Sequence, residues 1–173
     1  MKKVSLVFAL LALSACAAKP VQLTTAFDEV KAEKQMKEGK NTIVGSAVWQ
    51  QKNGTIMKCS GHYVYMYPAT KYAEERVQHL FGGGSNGSRG AAREKVVFLP
   101  DEEAFHRLSR RTACDVDGKF EFENVADGDY YLKTDIIWGN PEYPDEQTEG
   151  GSLMKKIYVD GGRNVKVVLS PYL

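Results

Sequence analysis

The sequence contains no run of apolar residues as long as the 18 to 20 or so that cross a bilayer as a helix. It also lacks an excess of charge of one sign, because 23 basic and 22 acidic residues give a net charge of +1. A nucleic-acid binder with a basic surface and a disordered acidic tail are therefore both disfavoured. With 173 residues, 43% of them hydrophobic, the chain instead fits one globular domain.

Several motifs of catalysis and cofactor binding are missing as well. Residues 82–90 are rich in glycine, but no Gly-Lys-Ser/Thr follows them, as a phosphate-binding P-loop requires. There is no Cys-x-x-Cys pair and no His-x-x-Glu zinc motif, and we expect His62, His79 and His106 at the surface. Residues 115–118 resemble part of a calcium loop but lack its other ligands, so a β-turn is expected. The sequence thus predicts no cofactor, no metal and no enzymatic activity.

The first fifteen residues have the pattern of an export signal. Lys2 and Lys3 precede an apolar segment over residues 4–13, and the chain continues Leu-Ser-Ala-Cys to Cys16. A cysteine at this place resembles the lipobox of bacterial lipoproteins. That resemblance implies cleavage before Cys16, a diacylglyceryl group on its thiol and a further acyl chain on its amine, and two or more chains anchor a protein stably. An ordinary signal peptide followed by a chance cysteine is the alternative.

The same resemblance implies a location in the cell. In Gram-negative lipoproteins an aspartate after the cysteine often marks inner-membrane retention, and this chain has Ala17 there. We therefore expect the outer membrane, on its periplasmic face. Removing Lys2 and Lys3 from the 23 basic residues leaves 21 against 22 acidic residues, so the lipid and not the charge is expected to hold the protein there.

Two further cysteines remain, Cys59 and Cys114. An even pair in an oxidising compartment predicts a disulfide. This bond would close a loop of about 56 residues and stabilise the fold by about 4 kcal/mol on the chain-entropy model. A metal-binding pair and two free buried thiols are the alternatives.

Residues 16–41 are interpreted as a lipidated tether with a short helix, predicted over residues 25–39 from the helical spacing of Leu23, Phe27 and Val30. Short segments of alternating hydrophobicity follow from residue 42 to the end. Asn53-Gly54 is a strong hairpin signal between two of them.

About seven short strands with frequent turn signals predict an antiparallel β-sandwich over residues 42–173. Residues 69–110 interrupt the strand pattern and are interpreted as an insertion. Within it, residues 71–80 are predicted as a helix and residues 82–90 as a mobile loop, since that stretch has almost no side chain to bury.

The stretch from Thr112 to Trp138 resembles the carboxypeptidase regulatory-like domain. The shared pattern is a threonine, a turn with glycine, Phe-x-Phe, an apolar residue and Gly-x-Tyr before a long strand. The resemblance implies a seven-stranded antiparallel transthyretin-like or Ig-like β-sandwich, here with a short N-terminal helix and a helical, Gly-rich insertion. It describes a scaffold and no activity, because its residues are core aromatics and turn glycines. The matching positions are Phe120, Phe122, Val125, Gly128 and Tyr130.

We therefore expect a non-enzymatic, outer-membrane-anchored lipoprotein whose sandwich serves as a scaffold for an envelope protein, presented through the insertion. The alternative is a module that binds a glycan or a peptide. A secretion-system lipoprotein and a cryptic hydrolase are less favoured, and the hydrolase would need two histidines in one cleft. Five tyrosines could stack on sugar rings if exposed, but core or cross-strand packing is the favoured explanation of their spacing: Tyr63, Tyr65, Tyr67, Tyr130 and Tyr131.

Overall fold

The computed structural model describes residues 20–51, 53–139 and 148–171, so the expected signal segment and Cys16 lie outside the described residues. Eleven strands and three helices occur within these ranges. The strands are β1 (Val21–Gln22), β2 (Glu38–Gln50), β3 (Ile56–Lys58), β4 (Tyr63–Pro68), β5 (Asn86–Gly90), β6 (Phe98–Leu99), β7 (Arg110–Ala113), β8 (Lys119–Val125), β9 (Gly128–Trp138), β10 (Glu149–Val159) and β11 (Asn164–Leu169). The helices are α1 (Glu29–Gln35), α2 (Lys71–Phe81) and α3 (Glu103–Arg107).

Two sheets form the sandwich, which confirms the predicted all-β class. One sheet has five antiparallel strands in the order β5-β10-β9-β4-β7. In the other, β2 lies between β11 on one side and β8 and β3 on the other. The two sheets therefore hold nine strands and not seven, and β11 runs parallel to β2. The chain reaches β11 from β10 in the opposite sheet, so no hairpin dictates an antiparallel direction.

The space between the sheets is filled by alternate residues of their strands. Phe120, Phe122 and Val125 of β8 are at most 4% exposed, and Tyr130 of β9 is fully buried. The Tyr130 hydroxyl lies 2.8 Å from the Gln35 carbonyl oxygen and 2.9 Å from that of Ala126, and burial raises its pKa to about 12. Further buried side chains of this core include Ile43, Val64, Met66, Leu132, Ile136, Leu153, Val159 and Leu169.

A helical layer covers part of the outer face of the five-stranded sheet. Helix α2 agrees with its prediction to within one residue. The Thr70 side chain caps its first turn by accepting a hydrogen bond from Ala73 N, and Gly82 ends the helix in the left-handed conformation. Its buried residues Tyr72 and Val77 pack onto Tyr131 and Met154 of the sheet, together with Leu23, Ala73, Phe98 and Phe105.

The predicted helix over residues 25–39 is wrong in its extent. Helix α1 covers only seven residues, and Asp28 is its N-cap, accepting a hydrogen bond from Lys31 N at 2.9 Å. Gly39 does not end the helix but lies inside β2, where its Cα approaches the backbone of Val125 and Ala126 so closely that no Cβ would fit. Pairing of β2 with β8 extends back to Glu38, and this sheet contact overrides the local helical pattern.

Residues 16–41 were expected to form a lipidated tether with a short helix, but residues 20–41, the part that the structure describes, belong to the folded body. β1 pairs in parallel with β6, so that Val21 lies beside Phe98. The Glu75 carboxylate of α2 accepts hydrogen bonds at 2.8 Å from the backbone amides of Thr24 and Thr25. These hydrogen bonds, of which the one from the Thr24 amide has the largest effect, lower the pKa of Glu75 to about 2.

The prediction of a mobile loop over residues 82–90 is also wrong. Residues 86–90 form β5, which pairs with β10 from Asn86 opposite Lys155 to Gly90 opposite Gly151. A sheet edge uses only backbone groups, so the scarcity of side chains does not prevent pairing. At Gly151 the backbone of β5 is so close that a Cβ would overlap Arg89 O.

The structure contains the disulfide between Cys59 and Cys114, whose Cα atoms are 5.8 Å apart. It joins the segment before β4 to the end of β7, just beyond the pair Tyr63–Ala113. In the part of the chain that the structure describes, no helix combines the length and the apolar character that crossing a bilayer requires.

Candidate functional site

The outer face of the five-stranded sheet is covered at one end and open at the other. Helices α2 and α3 lie over the end that contains Tyr67 and Tyr131. Beyond the helices, β4, β7, β9 and β10 present a surface that we call the open face. It is defined by six residues: Tyr63, Tyr65, Arg111, Lys133, Asp135 and Ser152.

An aromatic ladder runs along β4 from the covered end to the open face. Phe105 of α3 stacks on Tyr67 with ring centroids 4.9 Å apart, and Tyr67 stacks on Tyr65 at 6.2 Å. Tyr63 follows at 6.5 Å, tilted by 55° from Tyr65. Burial raises the pKa of Tyr67 to about 12, whereas Tyr63 is 45% exposed. The ladder therefore begins in a packed core and ends in solvent.

Polar and charged side chains border the exposed rings. The Lys133 ammonium donates to both carboxylate oxygens of Asp135, at 2.7 and 2.8 Å, and the Ser152 hydroxyl donates to the same carboxylate. On the other side of β4, the Arg111 guanidinium carbon lies 4.7 Å from the centre of the Tyr63 ring. The open face thus combines apolar ring surface with a carboxylate, a hydroxyl and two cations.

A cleft of about 230 Å³ continues this surface under α2 and α3. Tyr67 and Lys133 line it, so it adjoins the open face, and Arg76 and His106 line it as well. Ligand pockets for drug-sized molecules measure about 300 to 1,000 Å³, so this cleft is smaller than a usual ligand pocket.

Arg76 packs against the aromatic residues of the cleft and holds Asp101 beside them. Its guanidinium carbon lies 4.3 Å from the centre of the Phe98 ring and 4.7 Å from that of Phe105. It donates to Asp101 at 2.5 Å, and His106 Nε2 lies 2.8 Å from the same oxygen. Burial tends to raise the pKa of Asp101, but the hydrogen bonds with His106 and Arg76 outweigh burial and lower it.

A second depression, of about 700 Å³, lies beside the four-stranded sheet and has a different character. Aliphatic residues such as Val44 line it together with charged side chains of both signs, among them Lys119, Lys166, Asp115 and Glu121. Its one aromatic residue, Phe120, is 4% exposed and faces the core. The aromatic surface that organic ligands favour is therefore on the open face.

The structure separates the five tyrosines that the sequence singled out. Tyr63, Tyr65 and Tyr67 share one face of β4, and Tyr63 and Tyr65 are accessible there. Tyr130 points into the core between the sheets and Tyr131 is 5% exposed under α2, so neither is available for stacking on a ligand.

The three histidines have different surroundings. His62 precedes β4, His79 lies beside Phe98 with ring centroids 6.3 Å apart, and His106 contacts Asp101. Only His106 lines the cleft. Within residues 20–51, 53–139 and 148–171, no group of three or more His, Cys, Asp or Glu could hold a metal ion.

The polar residues of the open face were not among the site residues expected from the sequence. Lys133 and Asp135 alternate with the core residues of β9, which is the signal for an outward position. Arg111 and Ser152 give no such signal, because their place beside β4 and β9 depends on strand pairing.

Comparisons with known proteins support the β-rich fold. No protein-family model matches the chain, and no curated protein matches it. A crystal structure from Pseudomonas aeruginosa, provisionally described as that of a carbohydrate-binding protein, superposes with a TM-score of 0.68 at 25% identity and covers 84% of this chain and 98% of its own. A minor pilin of Streptococcus agalactiae aligns with a TM-score of 0.37 at 13% identity over 79% of this chain and 47% of the pilin, too weakly to carry an argument. This chain is thus similar in fold, over most of its length, to a β-rich protein with a provisional carbohydrate-binding description.

Proposed function

We propose that this protein is a non-enzymatic binding module that takes a saccharide on the open face. The observation that carries the proposal is the exposed end of the aromatic ladder, where Tyr63 and Tyr65 stand beside Asp135 and Ser152. The C–H faces of a sugar ring pack against aromatic rings, and its hydroxyls exchange hydrogen bonds with carboxylates and hydroxyls. Apolar surface with a few polar groups that fix orientation is the general composition of small-ligand sites.

The likeness to the Pseudomonas aeruginosa protein supports the same ligand class. A scaffold for an envelope protein is the weaker proposal. It depended on the insertion over residues 69–110 being one long mobile connection, and within that insertion Lys71–Phe81 form helix α2 and residues 86–90 are paired in β5.

The first test is titration of the purified full-length protein with neutral and acidic oligosaccharides, followed by isothermal calorimetry and backbone-amide NMR. We expect at least one probe to shift the amides of β4. Tyr63→Ala should weaken its binding at least about fivefold, which corresponds to about 1 kcal/mol for a contacting aromatic residue.

Tyr158→Ala is the matched control, since Tyr158 is 59% exposed at the far end of β10. Binding that Tyr63→Ala leaves unchanged would place the saccharide elsewhere. Absence of binding to the whole panel would refute the proposed function.

We also propose that Cys16 carries a lipid anchor that holds the protein at the periplasmic face of the outer membrane. The proposal rests on the order of charges, apolar segment and Leu-Ser-Ala-Cys at the start of the chain. Metabolic labelling with radioactive palmitate should mark the wild-type protein and not Cys16→Ser, and density fractionation of the membranes should place the labelled band with the outer membrane. An unlabelled wild-type protein would contradict the anchor.

A further inference from the structure

We infer that the saccharide is acidic, and that Arg111 and Lys133 bind its carboxylate while its ring lies against Tyr63 and Tyr65. This inference rests on the proposed function and adds the chemical class of the ligand. Hexuronates, which carry a carboxylate on the sugar ring, are the simplest members of that class.

The register of the sheet places one cation on each side of Tyr65. Arg111 of β7 is its direct partner on one side, and Lys133 of β9 is its direct partner on the other. Side chains that face each other across antiparallel strands start from Cβ atoms about 4.5 to 5.5 Å apart. Both long side chains can therefore reach one group held above the Tyr65 ring.

The cations of the open face outnumber its anions. Asp135 is its one carboxylate, and the Lys133 ammonium donates two of its three N–H groups to it and keeps the third for a ligand. Arg111 has no carboxylate within ion-pair distance among the residues that the structure describes. Arg89 of β5 is paired directly opposite Ser152 at the edge of this face, where its guanidinium donates to Glu94 O. On a chain with nearly balanced charge, this local excess favours an anionic ligand.

The geometry of Arg111 suits a carboxylate in particular. Its guanidinium lies over the Tyr63 ring, which holds the side chain in place through a cation–π contact. A guanidinium stacked in this way keeps the N–H groups of its edge available, and these form two parallel hydrogen bonds with a carboxylate. Arg111 thus links the aromatic and the charged parts of the proposed site.

The test compares tetragalacturonate with its methyl ester, which has the same rings without the charges. We expect calorimetry of the full-length protein to show binding of the acid and at least tenfold weaker binding of the ester. Arg111→Gln should weaken binding of the acid about tenfold, because the variant lacks the charge and the paired N–H groups that bind the carboxylate. Arg111→Lys should restore little of it, since a lysine lacks the planar fork. Raising the salt concentration should weaken binding of the acid and leave that of the ester unchanged.

Lys166→Gln is the charge-matched control, since Lys166 is exposed on β11 in the other sheet. Equal affinity for the acid and the ester would overturn the inference and leave the proposed function standing. Binding of the acid that Arg111→Gln does not change would also overturn it. If hexaglutamate binds as tightly as the acid, the face recognises acidic chains in general, and the inference of a saccharide is wrong. If no saccharide binds, the inference and the proposed function fail together.

Discussion

Asn41 is the residue whose replacement tests the assembly of the fold most sharply. Its side chain is completely buried and joins three segments that are far apart in the sequence. The amide nitrogen donates to Val125 O at 2.9 Å and to the Asp127 carboxylate at 2.8 Å. The amide oxygen accepts from Arg163 N at 3.0 Å. Asn41 therefore fixes the end of β8 and the turn before β11 to β2.

Asn41→Ala should lower the free energy of unfolding by about 3 kcal/mol. The change leaves Val125 O and Arg163 N without their partner, and each unsatisfied group costs about 1 to 3 kcal/mol when it is shielded from water. In a domain of this size, 3 kcal/mol corresponds to a fall in Tm of about 6 to 12 °C.

Asn41→Asp adds a pH dependence of known sign. A carboxylate at this position would face the Asp127 carboxylate and the Val125 carbonyl, so the folded state should raise its pKa above the unfolded value of about 3.9. The free energy of unfolding that the variant loses at neutral pH should then be recovered as the pH falls toward the unfolded-state pKa and the introduced carboxylate is protonated.

Urea unfolding followed by tryptophan fluorescence at pH 7.5 and pH 4 measures both effects. Asn164→Ala is the control, because Asn164 is exposed at the start of β11. If Asn41→Ala lowers the free energy of unfolding by less than about 1 kcal/mol, the loss is smaller than unsatisfied buried groups should cause. That result would show that the three hydrogen bonds of Asn41 do not hold the fold. An Asn41→Asp variant with the pH profile of the wild type would refute the electrostatic part.

Three further outcomes are expected. Replacing Cys59 and Cys114 together by serine should lower the free energy of unfolding by about 4 kcal/mol in urea titrations, from the entropy of the loop that the disulfide closes, and an unchanged midpoint would contradict this. Glu75→Ala should raise hydrogen exchange of the two amides that Glu75 holds. In the wild type that protection should be complete above the ordinary carboxyl pKa and lost as the pH falls through about 2. Gly151→Ala should detach β5 and so increase hydrogen exchange in that strand, whereas Gly54→Ala, in open space, should leave β5 protected.

The sandwich itself could be predicted because its strands carry the alternation that burial of one face requires. The inward positions of β8, for example, are its two phenylalanines, and the charged residues between them face solvent. Helix α2 could be predicted because Thr70 and Gly82 mark its ends. These signals are local, so no knowledge of the other strands is needed to recognise them.

Strand β5 and the N-terminal segment could not be predicted, because tertiary contacts create them. The glycines of β5 have no pattern of their own, and only the backbone of β10 holds them in a strand. Residues 38–41 favour β2 over a helix because β8 lies beside them. The open face likewise needs the register of three strands before Arg111, Tyr65 and Lys133 come together.

The pairing of β1 with β6 also determines how the domain would sit at a membrane. Four residues lie between Cys16 and Val21, where the paired segment begins, and the five steps of extended chain from Cys16 to Val21 reach about 17 Å. This linking segment is little longer than the radius of gyration of about 15 Å expected for a domain of this size. Val21 and Leu23 join the cluster under α2, at the covered end of the aromatic ladder, whereas Tyr63 stands at the other end. With the anchor that we propose at Cys16, the domain could not tumble freely, and the open face would point away from the bilayer.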